Sequence, residues 1–294
     1  MNLTGRLSYL AYDLACRSEL PLPELQRASA PPHVEIAVAA IDRPSGATNA
    51  QGTSVEVTRD AAWLFHAGVG TFHVAHGRGI TVDPAAGVAP ALLRTFVLGP
   101  AFGTLLRQRG RLTLHGSAVA MDDRAVLFLG ASGAGKSTTA AAFHARGCPL
   151  IADDIVAIDA AGAEPLTFPG FPRLKLGRTA ATLAGIRQPP EEIVDGKGSF
   201  AADRGFASMP LPLSRVFVLT NAEQPEVRRL SPPEALVELL RHSYGARTLQ
   251  AVNRDRHFAQ CAAVARRVPV LLLSRGSARS DCTQFFDTIE EHVA

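Results

Sequence analysis

Ala125-Val-Leu-Phe-Leu-Gly130-Ala-Ser-Gly133-Ala-Gly135-Lys136-Ser137-Thr-Thr-Ala-Ala-Ala142 is the stretch on which the reading of this chain turns. The apolar run from Ala125 to Leu129 predicts a strand buried on both faces. The loop from Gly130 to Lys136 follows, and then an alanine-rich segment that predicts a helix. Gly130, Gly135, Lys136 and Ser137 fit the pattern G-x-x-x-x-G-K-[ST] in the strand-to-helix setting that this phosphate-binding loop requires. Glycines at 130, 133 and 135 let backbone N–H groups turn toward phosphate oxygens that a side chain would block. The helix N-terminus adds positive potential at the same point. The stretch Gly130, Ala131, Ser132, Gly133, Ala134, Gly135, Lys136, Ser137 and Thr138 is therefore expected to cradle a nucleoside triphosphate. Lys136 is expected to reach the terminal phosphates and the Ser137 hydroxyl to ligate Mg²⁺.

Working outward, Leu112 to Met121 reads as a strand carrying His115-Gly-Ser117. Met121 to Arg124 supplies a turn into the strand before the loop. Beyond the loop helix, Gly147 and Pro149 mark a stop, and Leu150-Ile-Ala-Asp153-Asp154 reads as a buried strand with two aspartates at its C-terminal end, where ligands bind in open α/β sheets. One carboxylate is expected to hold the metal bound to Ser137, and the other to take a proton from an attacking hydroxyl. Pro169 to Pro172 predicts a turn into Arg173-Leu-Lys175-Leu. Pro189 to Pro212, with Asp195-Gly-Lys197 inside it, predicts a long mobile loop. Val216 to Leu219 reads as a strand, Ser231-Pro-Pro-Glu234 as a capping box opening a helix to about Tyr244, Asp255 to Arg267 as a helix, Pro269 to Ser274 as a strand and Asp281 to His292 as a closing helix. Strands alternating with helices predict an α/β core over residues 91–294.

Residues 1–90 read differently. Val34 to Ile41, Ser54 to Thr58, Trp63 to Phe65 and Thr71 to Ala75 are short strand candidates punctuated by glycines, which predicts a small, mostly β N-terminal domain. His66, His73 and His76 have no carboxylate or cysteine at ligand spacing and are expected to be structural or surface residues. Ala91 to Arg109 has an amphipathic helical pattern interrupted at Pro100 and is expected to link the two units.

Apolar residues make up 47% of the 294 and charged residues 19%, the profile of a globular chain. A net charge of +3 with no basic tract gives nucleic-acid binding no support. Four dispersed cysteines (Cys16, Cys148, Cys261, Cys282) argue against a zinc or disulfide framework, and neither a signal-peptide pattern nor a membrane-length apolar run is present. The expected setting is the cytoplasm, without a membrane partner.

His115-Gly116, then the loop to Ser137, then Ile151-Ala-Asp153-Asp154 resembles the catalytic core of the HPr kinase/phosphorylase family, closely from Leu112 to Ile158. The softer motifs, including Ser18-Glu-Leu-Pro-Leu-Pro-Glu-Leu25, Pro169 to Leu176 and His257-Phe, resemble a divergent branch found near gene clusters for ribosomal and lasso peptides. The resemblance implies a fold akin to phosphoenolpyruvate carboxykinase, with ATP and Mg²⁺ as cofactors and a serine hydroxyl of a peptide or small protein as acceptor. It makes Asp154 the base, His115 its partner and Asp153 part of the metal shell. Where the HPr enzymes carry Glu-Ile-Arg-Gly-Leu-Gly after the aspartates, this chain has Pro172-Arg-Leu-Lys-Leu-Gly177. Arg173, Lys175 and Lys197 are the candidate charge-neutralising replacements. The expected function is transfer of a γ-phosphoryl group to a hydroxyl. The rivals are a small-metabolite kinase and an ATP-driven regulatory switch, and the N-terminal unit would recognise a peptide leader or support a homo-oligomer.

Overall fold

Two large sheets and one small one organise the chain. The computed structural model describes residues 7–42, 48–194, 196–202, 205–221, 225–245, 254–275 and 282–293. The first sheet is built from β1 (Leu7–Ala11), β2 (Leu14–Ser18), β3 (Gln26–Arg27), β4 (Val34–Val38), β5 (Thr53–Val57), β6 (Ala61–His66), β7 (Gly70–Ala75) and β8 (Gly79–Pro84), in the order β3-β1-β2-β4-β8-β7-β6-β5. One of its faces packs on a helical segment comprising α1 (Pro90–Phe96), a wide π-turn (Val97–Ala101) and α2 (Phe102–Gln108). Pro100 lies inside the π-turn, so the break expected there is a single loosened turn in a continuing helix. The same cluster takes in Ile155, Ala157, Phe168 and Phe171, which ties the first sheet to the second.

The second sheet consists of β9 (Leu112–Met121), β10 (Arg124–Gly130), β11 (Leu150–Asp159), β12 (Leu166–Phe168), β16 (Leu211–Thr220), β17 (Pro225–Arg229) and β18 (Val270–Arg275). Its order is β10-β9-β11-β12-β16-β18-β17, and β10 also pairs with β16, so the sheet folds back on itself. It is mixed. β10, β16 and β18 run parallel, while β9 is antiparallel to both β10 and β11. Two faces explain why β10 reads as an unbroken apolar run. Leu127 and Leu129 pack toward α5 (Pro232–Arg241) and α6 (Arg254–Arg267). Val126 and Phe128 pack toward α3 (Lys136–Ala145) and α7 (Cys282–Val293).

The third sheet is antiparallel, β13 (Arg173–Leu176), β15 (Lys197–Ala201) and β14 (Glu192–Val194), and with α4 (Arg178–Leu183) it packs on Ala141 of α3. The segment 189–212, expected to be a mobile loop, thus contributes two strands, because Ile193, Gly198 and Leu176 lie on adjoining rungs and Phe200 is buried behind them. Asp195 of its Asp-Gly-Lys motif lies outside the described residues. The helix opening at Ser231 ends at Arg241, short of Tyr244. Its capping box is formed, with the Glu234 carboxylate accepting from the Ser231 N–H at 2.8 Å. Among the described residues no helix is long and apolar enough to cross a membrane, and no three His, Cys, Asp or Glu side chains converge as a metal site.

Candidate functional site

Three adjoining strands bring the sequence motifs together. β9 lies between β10, which ends in the glycine loop, and β11, which carries the aspartates. Ser117 of β9 is the rung partner of both Phe128 and Asp153, and Gly116 is the partner of Asp154. Above them opens a cleft of about 410 Å³. One wall is the loop and the first turn of α3 (Ser132, Gly133, Gly135 to Thr138). The opposite wall is His115, Asp153 and Asp154, and Lys175, Gly177, Ala180 and Lys197 close the side.

The loop is held open by its glycines. Gly130 has φ +145°, and a Cβ there would lie 2.6 Å from the Leu219 carbonyl oxygen. Gly135, at φ +98°, is the N-cap of α3 and turns the chain so that the unpaired first-turn N–H groups face the cleft end. Lys136 Nζ folds back to donate to the carbonyl oxygens of Gly130 (3.0 Å) and Ala131 (3.1 Å). Burial pushes its ammonium down, opposed by Asp153; Lys197 pushes the same way as burial and Asp154 against it. A cation curled over its own loop carbonyls is a charge waiting for an anion.

The aspartates are not at a strand end, as expected, but in the middle of β11. The ladder is antiparallel there, so the end-of-strand rule for parallel sheets has no purchase. What places them is a break in alternation. Consecutive strand residues normally face opposite sides, yet Asp154 has φ +79°, a left-handed backbone uncommon outside glycine, and both side chains line one cleft. Asp153 is buried and doubly held, Oδ1 accepting from Ser117 Oγ (2.6 Å) and Oδ2 from the Lys175 N–H (2.8 Å). Asp154 is held by two nitrogen groups. His115 Nδ1 lies 3.2 Å from its Oδ1 and Lys175 Nζ 3.2 Å from its Oδ2. Burial alone would raise this carboxyl, but the His115 hydrogen bond and the Lys175 charge bring it down to about 2.

Of the three candidate charge-neutralising residues, Lys175 and Lys197 line the cleft, and Arg173 does not. Two residues before Lys175 on β13, Arg173 pairs with Glu191 and donates to the Pro23 carbonyl oxygen (3.1 Å). Its guanidinium borders a second cavity that shares Lys175 and Lys197 with the cleft.

Several neighbours had no signal in the sequence. Tyr12 comes from the first sheet, where its hydroxyl donates to the Ile155 carbonyl oxygen (3.0 Å). Burial and then the charges of Asp154 and Asp153 push its phenol up. Behind the loop, Arg241, His242 and Tyr244 line a further cavity with His115, Gly130, Ala131 and Ser132. Burial, then the positive charges of Lys136, Arg241 and His115, push the His242 imidazole down to about 4. The backbone ties this edge to the site: the His115 N–H donates to the His242 carbonyl oxygen at 2.8 Å. Arg241 closes the capping-box helix and His242 is its C-cap, so the end of that helix is the sequence feature that lies beside them.

The site fits a nucleotide with a hard cation. Ser137 and Asp153 share the cleft, and the remaining lone pairs of Asp153 leave it able to ligate. Mg²⁺ commonly takes one or two protein oxygens and completes its shell with phosphate and water, so the lack of a three-ligand protein cluster among the described residues is compatible with it.

No family model matches the chain, and no curated protein does. Among solved structures it is similar to the Hpr(Ser) kinase/phosphatase from Coxiella burnetii, at 12% identity and a TM-score of 0.34, over 61% of this chain and 95% of that one.

Proposed function

We propose that the chain is an ATP-dependent phosphotransferase that moves the γ-phosphoryl group to a hydroxyl, a serine of a peptide or small protein. The observation that carries this reading is the Asp154 carboxylate, held by His115 and Lys175 across a cleft from the glycine loop and Lys136. A switch that only bound the nucleotide would have no use for a second, oriented carboxylate, and one that hydrolysed it would turn Asp154 on water in place of an acceptor hydroxyl, which is the difference the experiment reads.

The residues divide the work as follows. The first turn of α3 and the loop backbone bind the phosphates, and Lys136 leaves the Gly130 and Ala131 carbonyls to reach the terminal ones. Ser137 and Asp153 would hold Mg²⁺, which supplies charge neutralisation and alignment of the β- and γ-phosphates. Asp154 accepts the proton of the acceptor hydroxyl as the oxygen bonds to the γ-phosphorus and the bond to the β-phosphate oxygen breaks, leaving ADP. At about 2 its carboxylate is a poor base. Lys175 turning from Asp154 toward the incoming phosphate would restore its basicity while adding a positive charge where charge develops.

The test is transfer of labelled γ-phosphate from ATP with Mg²⁺ to small proteins and peptides encoded beside this gene, with Asp154→Asn as control. A labelled acceptor lost in Asp154→Asn supports the reading. Phosphate release without a labelled acceptor, unchanged in Asp154→Asn, refutes it in favour of a switch.

A further inference from the structure

A second cavity, of about 220 Å³, lies between the first sheet's loops and the third sheet. Glu24 comes from the loop between β2 and β3, Arg94 from α1, and Arg173 and Val194 from β13 and β14. It opens onto the cleft through Lys175 and Lys197, which line both. Lys175 is in contact with Asp154, so one lysine side chain stands between anything seated here and the carboxylate that the phosphotransfer reading makes the base.

Among the described residues, two side chains of its wall each keep one buried polar atom without a hydrogen-bond partner: Oε2 of Glu24 and Nε of Arg173. Each belongs to a side chain whose other polar atoms have partners. Glu24 Oε1 accepts from Arg94 Nε at 2.7 Å, and Arg94 also pairs with Glu192. The two Arg173 Nη groups are taken by Glu191 and by the Pro23 carbonyl. An unpaired buried acceptor and an unpaired buried donor are costly to keep, and folding alone gains nothing from them. They suit a ligand that presents one donor and one acceptor.

We propose that this cavity is the acceptor subsite, and that it takes peptide main chain, with an amide N–H donating to Glu24 and a carbonyl oxygen accepting from Arg173, so that the attached hydroxyl side chain reaches Asp154. The proposal rests on the phosphotransfer reading above and gives its acceptor a chemistry. Leu98 and Phe171 supply an apolar floor, which fits the carbon of neighbouring peptide residues better than a polyol with a hydroxyl on every carbon. The arrangement also gives the N-terminal sheet a task, since its loop contributes Glu24.

The experiment offers labelled ATP and Mg²⁺ to a library of capped, serine-centred peptides, with free serine and inositol as separate acceptors, and measures the affinity of a fluorescent ATP analogue in parallel. Glu24→Gln turns the orphan acceptor into a donor, and Arg173→Lys removes the orphan donor. Val194→Trp fills the cavity without touching either ion pair. The expected result is peptide labelling whose kcat/KM falls at least about ten-fold in all three variants, with analogue affinity within about two-fold of wild type. The retained affinity also shows that the variants fold. Transfer unchanged in all three overturns the proposal. So does a preference for free serine or inositol, or analogue binding with no labelled peptide. A wild-type chain that binds no analogue sinks the phosphotransfer reading itself, and this proposal with it.

Discussion

Replacing Lys175 by methionine would separate the electrostatic design of the site from its packing. Methionine keeps the length and apolar stem of lysine and removes only the ammonium that sits 3.2 Å from Asp154 Oδ2. A carboxyl brought from an ordinary 3.8 to about 2 favours its charged form by roughly 2.5 kcal/mol, and burial opposes that, so the donors together supply more. A hydrogen bond to a charged group contributes about 1.5–3 kcal/mol, so losing the Lys175 partner should raise Asp154 by about one to two pH units, to roughly 3–4. Stability follows with a defined sign. A depressed native carboxyl stabilises the fold fully above its unfolded value, and that contribution is lost as pH falls toward 2. Lys175→Met should therefore lose less stability than wild type between about pH 4 and pH 2. Carboxyl carbon NMR titration, assigned with Asp154→Asn, reads the midpoint directly, and urea unfolding at several pH values reads the slope. An Asp154 midpoint that stays near 2 in Lys175→Met would refute the assignment of its depression to this pair.

Three other outcomes are expected. Gly130→Ala places a Cβ 2.6 Å from the Leu219 carbonyl oxygen at φ +145°, so it should abolish binding of an ATP analogue and lower the melting temperature by several degrees. Tyr12→Phe removes a hydroxyl hydrogen bond from the β1–β2 turn to β11 and should cost about 1 kcal/mol in urea unfolding, with secondary structure by circular dichroism unchanged. Ser231→Ala breaks the capping box of α5 and should cost about 1 kcal/mol. Because that helix leads into Arg241 and His242 behind the loop, analogue affinity should be remeasured, and is expected to hold.

The strands around the loop were legible because both faces of β10 and β11 are covered, which leaves an unbroken apolar run in the sequence. Convergence of His115, Lys136 and the two aspartates could be read from strand adjacency and motif order. Three features could not. The position of the Asp pair within β11 depends on the backbone at Asp154, and a left-handed aspartate leaves no mark in composition. The strands in 189–212 are short, and their core contact is essentially one residue, Phe200, amid polar and glycine positions that read as loop. Arg173 and Lys175 lie on the same face of β13 and both line the second cavity, and only the tertiary partners of each, Glu191 for one and Asp154 for the other, decide that Lys175 also lines the cleft and Arg173 does not.

The shared rung at Ser117 has a consequence for how such a site tolerates change along the chain. Phe128, Ser117 and Asp153 sit side by side across three strands, so the distance between loop and carboxylates is set by inter-strand spacing and not by the number of residues connecting them. The turn at Met121–Arg124 and the segment after α3 can lengthen or shorten with the chemistry kept in place. A single residue inserted within β9 that is not taken up as a bulge would turn His115 and Ser117 to the other face, away from Asp154 and Asp153. Deletions mapped along the chain should therefore divide sharply: tolerated between these strands, and fatal to the site inside them.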